Sequence, residues 1–255
     1  MTFRATGLTV AFVAGLFLNG CQTTGLTRDK DFGVSIESAA VAAERNGDFA
    51  MAATHYNKLR ELRGDDLQVL LNLARNMRYA GGAETALKIL NDAAKTFSAE
   101  PAYLIERGKV EVAANKSTDA VSSLNKALKI SPKDWQIYAT LGIANDLATA
   151  FSAAEDAYAK ALQLSPENPT ILNNMAISAA LAGNLDKAIT TLEEAPTSAR
   201  QNPQIRQNLA MFYGLKGEIG KAENLARRDL DEASVRRNLS LFARLRGQTT
   251  PPAAR

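Results

Sequence analysis

The sequence has little of what catalytic and disulfide-stabilised proteins commonly use. Its 255 residues include one cysteine, one histidine and one tryptophan, and aromatic residues make up only 6% of the chain. The single cysteine, Cys21, excludes an internal disulfide. The shortage of aromatic residues, together with abundant alanine, favours closely packed helices over a sandwich or a barrel. Hydrophobic residues still make up 46% of the chain, which is enough to bury a sizeable core.

The chain also has no large excess of charge of one sign, because its 30 Lys and Arg are nearly balanced by 27 Asp and Glu, which leaves a formal net charge of +3. The signs alternate along most of the chain, so no basic stripe is predicted to follow phosphates and we expect no nucleic-acid partner. His55 has no serine or cysteine at a catalytic spacing and is predicted to be a surface or packing residue. We therefore expect no enzymatic activity, metal, cofactor or small-molecule substrate.

The N-terminus has the pattern of a secretory signal. Arg4 is the only charged residue before Cys21, and Leu8–Leu18 is an apolar run. That run is too short to span a bilayer, which takes about 20 helical residues. We therefore predict a signal peptide over residues 1–20.

Cys21 follows Leu18 and Gly20 and resembles the acylated cysteine of a bacterial lipoprotein, although Asn19 departs from the usual small residue. An ordinary signal peptide with an incidental cysteine is the alternative. The lipoprotein resemblance implies a lipid anchor at Cys21, and Gln22 in place of aspartate favours the outer membrane, facing the periplasm, over the inner membrane. Residues 21–32 are polar and are predicted to form the lipidated N-terminus and a flexible tether.

A pattern of 34 residues dominates the rest of the chain. Its best copy, residues 135–168, resembles a tetratricopeptide repeat (TPR), which is two short amphipathic helices joined by a turn. The residues that carry the resemblance are Tyr138, Leu141, Gly142, Ala154, Tyr158 and Pro166. The same frame fits residues 33–66, 67–100, 101–134, 135–168, 169–202 and 203–236 without an insertion. We therefore predict an all-α, right-handed superhelical solenoid of six TPR hairpins.

Several positions in each repeat support this frame. An alanine in the second helix and a small residue in the first are predicted to lie where the two helices cross. The alanines are Ala52, Ala86, Ala120, Ala154, Ala188 and Ala222, and the small residues are Ala40, Ala74, Gly108, Gly142, Ala176 and Ala210. The turns are predicted at Gly47, Gly81, Asn115, Gly183 and Gly217, which accept a positive φ. Thr149 does not accept it readily, so we expect a differently built turn in the fourth repeat.

Other residues predict where helices begin and end. Asn168 and Asn202 are expected to cap helices that open on proline, and Pro196 should end the second helix of repeat five early. Arg107 and Glu111 stand at usually apolar positions with a spacing that allows an ion pair. Residues 234–246 are predicted to form an arginine-rich capping helix, and residues 247–255 a disordered tail.

The first helices of such an array line its concave side, and their inward positions are the candidate binding groove. Carboxamides there could bond to the backbone of an extended peptide, basic residues could hold an acidic group, and apolar residues could contact an apolar partner. The alternatives are that the amides are merely tolerated on a helix and that curvature buries the apolar residues. The candidate residues are Asn72, Arg75, Arg78, Lys109, Ile143, Leu147, Asn173, Asn174, Ile177, Leu181, Gln207, Asn208, Met211 and Leu215.

The lipoprotein start, the repeats and the closing stretch from Asn208 to Leu245 together resemble the TadD family, TPR lipoproteins of the tight-adherence (Flp-type) pilus assembly system. The most specific part is Ala222 to Asn238. The resemblance implies a non-enzymatic, pilotin-like factor that helps the pilus secretin to assemble, with a secretin or another secretion component as partner. The alternatives are a general periplasmic adaptor for outer-membrane or cell-wall machinery, or a regulatory subunit of a cell-envelope enzyme.

Overall fold

The structure is a computed structural model that describes residues 23–249. The predicted signal peptide, Cys21 and the last six residues lie outside this range. The described residues form fourteen helices, of which none is long and apolar enough to cross a bilayer. In chain order they are α1 (Thr23–Arg45), α2 (Phe49–Arg63), α3 (Leu67–Tyr79), α4 (Ala83–Phe97), α5 (Pro101–Ala113), α6 (Ser117–Ile130), α7 (Trp135–Leu147), α8 (Phe151–Leu164), α9 (Pro169–Leu181), α10 (Leu185–Glu193), α11 (Thr197–Arg200), α12 (Pro203–Lys216), α13 (Ile219–Ala226) and α14 (Glu232–Thr249).

Consecutive helices pack as hairpins, and each hairpin packs against the next. The first helices also contact one another along the array, α3 with α5, α5 with α7 and α7 with α9. This arrangement confirms the predicted all-α solenoid of helical hairpins. The first helices of repeats two to six begin at Leu67, Pro101, Trp135, Pro169 and Pro203, which are the first residues of the 34-residue frame.

The helices of each hairpin cross at the small residues. All six alanines of the second helices have no exposed surface. At Gly108 a Cβ atom would lie 2.6 Å from Cγ of Leu124, and at Gly142 it would overlap the ring of Tyr158. These crossings therefore favour a residue without a side chain, because the partner side chain already fills the space.

The turns between paired helices take the left-handed conformation in every repeat from one to six. Gly47, Gly81, Gly183 and Gly217 have φ between 74° and 94°, and Asn115 has 58°. The expectation for the fourth repeat was wrong, because Thr149 also has a positive φ, of 56°. The reason is the backbone pairing on either side. Thr149 N–H donates to Asp146 O (2.9 Å) and Ala150 N–H to Asn145 O (2.9 Å), as the turn at Asn115 does with its own neighbours.

The predicted helix ends agree with the structure inside the array. Asn168 accepts from the backbone N–H of Thr170 and Ile171, and Asn202 accepts from that of Gln204. The second helix of repeat five ends at Glu193, and Pro196 caps the short α11. Because Pro196 has no N–H to continue the helical hydrogen bonds, α10 ends before it.

Both outer boundaries need correction. Residues 23–32, predicted as part of a flexible tether, form the start of α1, and residues 247–249, predicted as part of a disordered tail, form the end of α14. No proline interrupts either stretch, and each residue added to an existing helix gains a backbone hydrogen bond. The predicted capping helix is therefore longer at both ends. It packs on α12, where Phe242 lies over Gly214.

Candidate functional site

A pocket of 440 Å³ opens on the side formed by the first helices. We call it the central pocket. Every residue that lines it belongs to α3, α5, α7 or α9, and none belongs to a second helix. The lining residues are Arg78, Tyr79, Lys109, Val112, Trp135, Gln136, Ala139, Thr140, Ile143, Thr170 and Asn174. Four of the predicted groove residues, Arg78, Lys109, Ile143 and Asn174, therefore meet in one place.

The positive charge in this pocket is partly neutralised. Arg78 Nε lies 3.1 Å from Glu106 Oε1, and the side chain of Glu106 is only 5% exposed. Arg78 also stacks over the ring of Tyr79, at 4.4 Å from the ring centroid. Arg78 thus acts first as the counter-ion of a buried carboxylate. Sequence reasoning missed Glu106, because the two residues are 28 positions apart and belong to different repeats.

Lys109 is the more available cation of the central pocket. Its Nζ donates to Gln136 Oε1 at 3.0 Å, and no carboxylate forms an ion pair with it among the described residues. Burial lowers the pKa of Lys109, and the charges of Arg78 and Arg75 lower it further, while Glu106 opposes them. An acidic group brought to Lys109 would relieve this cost of burying an unpaired ammonium group.

The apolar wall of the pocket comes mainly from α7. Trp135 and Ile143 are half-buried, and Ala139 and Thr140 form the buried floor between them. Val112 of α5 completes the wall. Trp135 and Val112 were not predicted, although Trp135 opens the first helix of its repeat beside Gln136 and its position in the frame could have indicated it. The pocket suits one apolar side chain next to an acidic or hydrogen-bonding group.

The predicted row of carboxamides is largely paired within the protein. Asn173 is 4% exposed and accepts a hydrogen bond from Asn208. Gln207 donates to Asp229 at 3.1 Å, and Asn72 accepts from Gln68 at 3.0 Å. Arg75 lies 3.5 Å from the same Asn72 oxygen. Only Asn174 of this set lines the central pocket, and of the others only Asn173 and Asn208 join two first helices, α9 and α12.

The predicted apolar lining of the groove divides into two groups. Leu147 is 43% exposed and Leu181 is 61% exposed at the ends of their helices. Ile143, Ile177, Met211 and Leu215 are half-buried, and Ile177 and Met211 pack against the core of repeats five and six. Packing against the core therefore covers part of this lining and leaves the two leucines exposed.

Two polar clusters lie inside the array and away from the central pocket. Arg107 Nε is 2.8 Å from Glu111 Oε1, which agrees with the spacing, and the side chain of Glu111 is 2% exposed. Its second oxygen has no hydrogen-bond partner among the described residues. In the next repeats, Asp146 accepts from Tyr158 (2.8 Å) and from Ser178 (2.6 Å). Burial raises the pKa of Asp146, against the opposing effect of these two hydrogen bonds.

No group of three or more possible metal-binding side chains occurs within residues 23–249. His55, expected to be a surface or packing residue, lies half-buried on α2. The first helices thus present an apolar wall beside the ammonium group of Lys109.

Family models of tetratricopeptide repeats match residues 71–134 and 147–212 of this chain. Proteins built from such repeats are generally non-enzymatic scaffolds. Comparison with curated protein sequences finds no match.

Solved structures with the same fold include a thermophilic TPR protein of Thermus thermophilus, with 19% identity, a TM-score of 0.63 and coverage of 71% of this chain and 98% of that one. A TPR protein of Parabacteroides merdae is 14% identical, with a TM-score of 0.67 and coverage of 83% and 84%. MamA of Desulfovibrio magneticus is 16% identical, with a TM-score of 0.52 and coverage of 64% and 92%. These likenesses concern the fold alone.

The two matched segments contain complete helical hairpins of the kind that the whole array repeats, and the solenoid is that of known TPR proteins. TPR arrays are scaffolds for protein–protein interaction, and the central pocket lies on the helices that form such a surface. The chain therefore belongs to the tetratricopeptide-repeat proteins.

Proposed function

We propose that this protein is a lipid-anchored scaffold of the bacterial outer membrane that binds a segment of a pilus-assembly protein in its central pocket. The segment would place an apolar side chain against Trp135 and Ile143, with an acidic group beside Lys109. The observation that carries the proposal is that four successive first helices supply one pocket with both kinds of contact. A TPR scaffold with such a pocket suits a linear segment of a protein better than a small metabolite.

The role in tight-adherence pilus assembly rests on the resemblance of the lipoprotein start and of the closing stretch to the TadD family. The partner would then be the secretin or another secretion component, and the protein would act as a pilotin-like accessory factor. Lipidation at Cys21 would hold the pocket at the membrane where a secretin assembles.

Crosslinking in intact cells tests the proposal. A photo-reactive amino acid at Gln136, on the rim of the pocket, should capture a specific protein, whereas the same group at the exposed Lys88 on α4 should not. Identification of a secretin or another pilus component would support the full proposal. Capture of an outer-membrane or cell-wall protein would support the general adaptor instead, and equal capture at both positions would contradict a binding site in the pocket.

A second set of variants separates binding from folding. Lys109→Gln and Arg75→Gln remove positive charge near the pocket without removing the counter-ion of Glu106, whereas Arg78→Gln removes it. We expect Lys109→Gln to weaken capture with little change in stability, and Arg78→Gln to lower stability as well.

For the anchor, Cys21→Ser should release the protein from the membrane fraction, and continued attachment would contradict lipidation.

A further inference from the structure

One exposed face of α14 is rich in arginine. Val235 and Phe242 turn towards the array and are 1% and 5% exposed. The opposite side of the helix carries Arg236, Arg237 and Arg244 at exposed positions. These arginines border a shallow depression of 560 Å³, together with Ala233, Asn238, Ser240 and Leu241.

Acidic residues are absent from the end of the sequence. None of the 27 acidic residues of the chain follows Glu232, whereas five of the 30 basic residues do. Some cations elsewhere on the described surface form ion pairs, as Lys116 does with Glu84 at 3.0 Å. Arg236 and Arg244 make no ion pair or hydrogen bond with any described residue, and Arg237 bonds only to the Ser234 hydroxyl, at 2.7 Å. Arg236 and Arg244 therefore lack a paired counter-charge, whereas Arg237 also acts on the carboxylate of Asp231 just before the helix.

An apolar side chain lies in the middle of this face. Leu241 is 42% exposed, four residues after Arg237 and three before Arg244, so all three lie on the same side of the helix. Arginines beside an exposed leucine on one helix offer both the basic and the apolar contacts that helices on a membrane surface make. The depression involves α14 alone, so it offers a broad surface and not a groove for an extended chain.

We propose that this face of α14 docks on an anionic phospholipid bilayer. The arginines would contact the negatively charged headgroups, and Leu241 would enter the boundary between headgroups and acyl chains. The surface involves neither the central pocket nor Cys21, so the proposal does not rest on partner binding or on lipidation. The proposal gives these arginines a binding role in addition to their place on the capping helix.

Vesicle co-sedimentation of the purified full chain with Cys21→Ser tests the proposal without a lipid anchor. The probes are vesicles of phosphatidylcholine alone and vesicles that also contain phosphatidylglycerol. Because each arginine near an anionic surface contributes about fivefold in affinity, we expect binding to the anionic vesicles to be at least about tenfold stronger. Salt should weaken the difference. Equal binding to both vesicles would assign the interaction to the apolar N-terminus and overturn the proposal.

Charge reversal locates the surface. Arg236→Glu with Arg244→Glu should lower binding to anionic vesicles by more than about tenfold, while Lys88→Glu with Lys95→Glu, on exposed positions of α4, should leave most of it. Thermal unfolding of both variants checks that the fold is intact. An equal loss in the two double variants would show attraction by net charge alone and would overturn the proposal.

The Leu241→Ser variant separates a bilayer from an acidic protein as the occupant. Loss of insertion should weaken vesicle binding by several-fold even where the arginines remain. If Leu241→Ser leaves vesicle binding unchanged, and soluble polyglutamate displaces the protein from vesicles completely, the surface binds acidic polymers and not a bilayer.

Discussion

Repeats three and four, residues 101–134 and 135–168, share one frame and pack side by side, yet their interiors are built differently. Repeat three places Leu124 over Gly108 and pairs the buried carboxylate of Glu111 with Arg107. Repeat four places Tyr158 over Gly142 and joins that tyrosine to Asp146. Their turns differ as well, with Asn115 in one and Thr149 in the other. The frame thus fixes where backbones approach, while the neighbouring inner positions accept quite different chemistry.

The largest effect is expected from removing half of the ion pair in repeat three. Arg107→Leu leaves the buried carboxylate of Glu111 without its counter-ion, which should lower the free energy of unfolding by about 4 kcal/mol. The double variant Arg107→Leu with Glu111→Leu restores the apolar residues that are usual at these positions and should recover most of the loss. Urea unfolding with constant m-values measures both. A double variant as unstable as the single one would show that the pair itself holds the repeat.

The two crossings differ in how well they can adapt. Gly142→Ala places a methyl group against the buried ring of Tyr158, which its hydrogen bond to Asp146 holds in place. We expect this substitution to destabilise the protein by about 3 kcal/mol. Gly108→Ala meets a leucine, which can change rotamer, and the gain in helix propensity offsets part of the strain. A loss of about 1 kcal/mol is expected there. Similar losses at both sites in urea unfolding would contradict this difference.

The polar link of repeat four should contribute less than the ion pair of repeat three. Asp146→Ala leaves the hydroxyls of Tyr158 and Ser178 without their acceptor and should cost about 2 kcal/mol. Asp146→Asn keeps an acceptor and should cost less. Leu124, which replaces the tyrosine in repeat three, needs no such acceptor, so no equivalent loss is expected there.

The same carboxylate predicts a pH dependence. Because burial raises the pKa of Asp146 above its usual value of 3.8, the folded state favours the protonated form. The protonated Asp146 side chain therefore contributes to the stability of the fold below the pKa of the unfolded chain, and this contribution is lost as the pH rises through the pKa of the folded protein. Asp146→Asn cannot ionise, so its stability relative to the parent should improve as the pH rises through this range. Urea unfolding of both proteins over a pH series measures this trend, and a relative stability that falls would contradict the shift.

The smallest effect is a gain in stability at the turn of repeat four. Thr149→Gly relieves a β-branched residue from the left-handed conformation and should stabilise the protein by about 1 kcal/mol. Asn115→Gly should change stability by only a few tenths of a kcal/mol, because asparagine tolerates this conformation. Thermal unfolding compares the two substitutions, and an equal gain at both turns would show that Thr149 is not strained.

The sequence predicts those features that follow from local rules. The first helices begin on the frame, Asn168 caps α9, and the alanines at the crossings are buried, because each depends on residues within one repeat. Contacts between repeats were not predictable in this way. The pairing of Glu106 with Arg78, and of Ser178 with Asp146, requires knowing which helix faces lie opposite each other. At Thr149 a local rule fails, because the hydrogen bonds of the turn impose a positive φ that a β-branched residue disfavours.

The central pocket was predicted only in part for the same reason. Lys109, Ile143 and Asn174 come together as inward positions of successive first helices. Arg78, however, neutralises a buried carboxylate, and most of the amides have hydrogen-bond partners within the protein. Trp135 lines the pocket from the first residue of α7 and was not among the predicted groove residues. The inward positions of the repeat therefore predict the side of the array on which the pocket lies. They do not predict the hydrogen bonds and ion pairs that the side chains on that side make with one another.

The long first helix has a mechanical consequence. At 1.5 Å per residue, the 23 residues of α1 form a stiff rod about 35 Å long, and the half of it nearer its C-terminus is packed in the first hairpin. A flexible tether would let the array rotate freely, whereas a rod transmits the direction of its first turn to every hairpin behind it. The angle at which the chain enters α1 at Thr23 would then set the direction in which the whole array points.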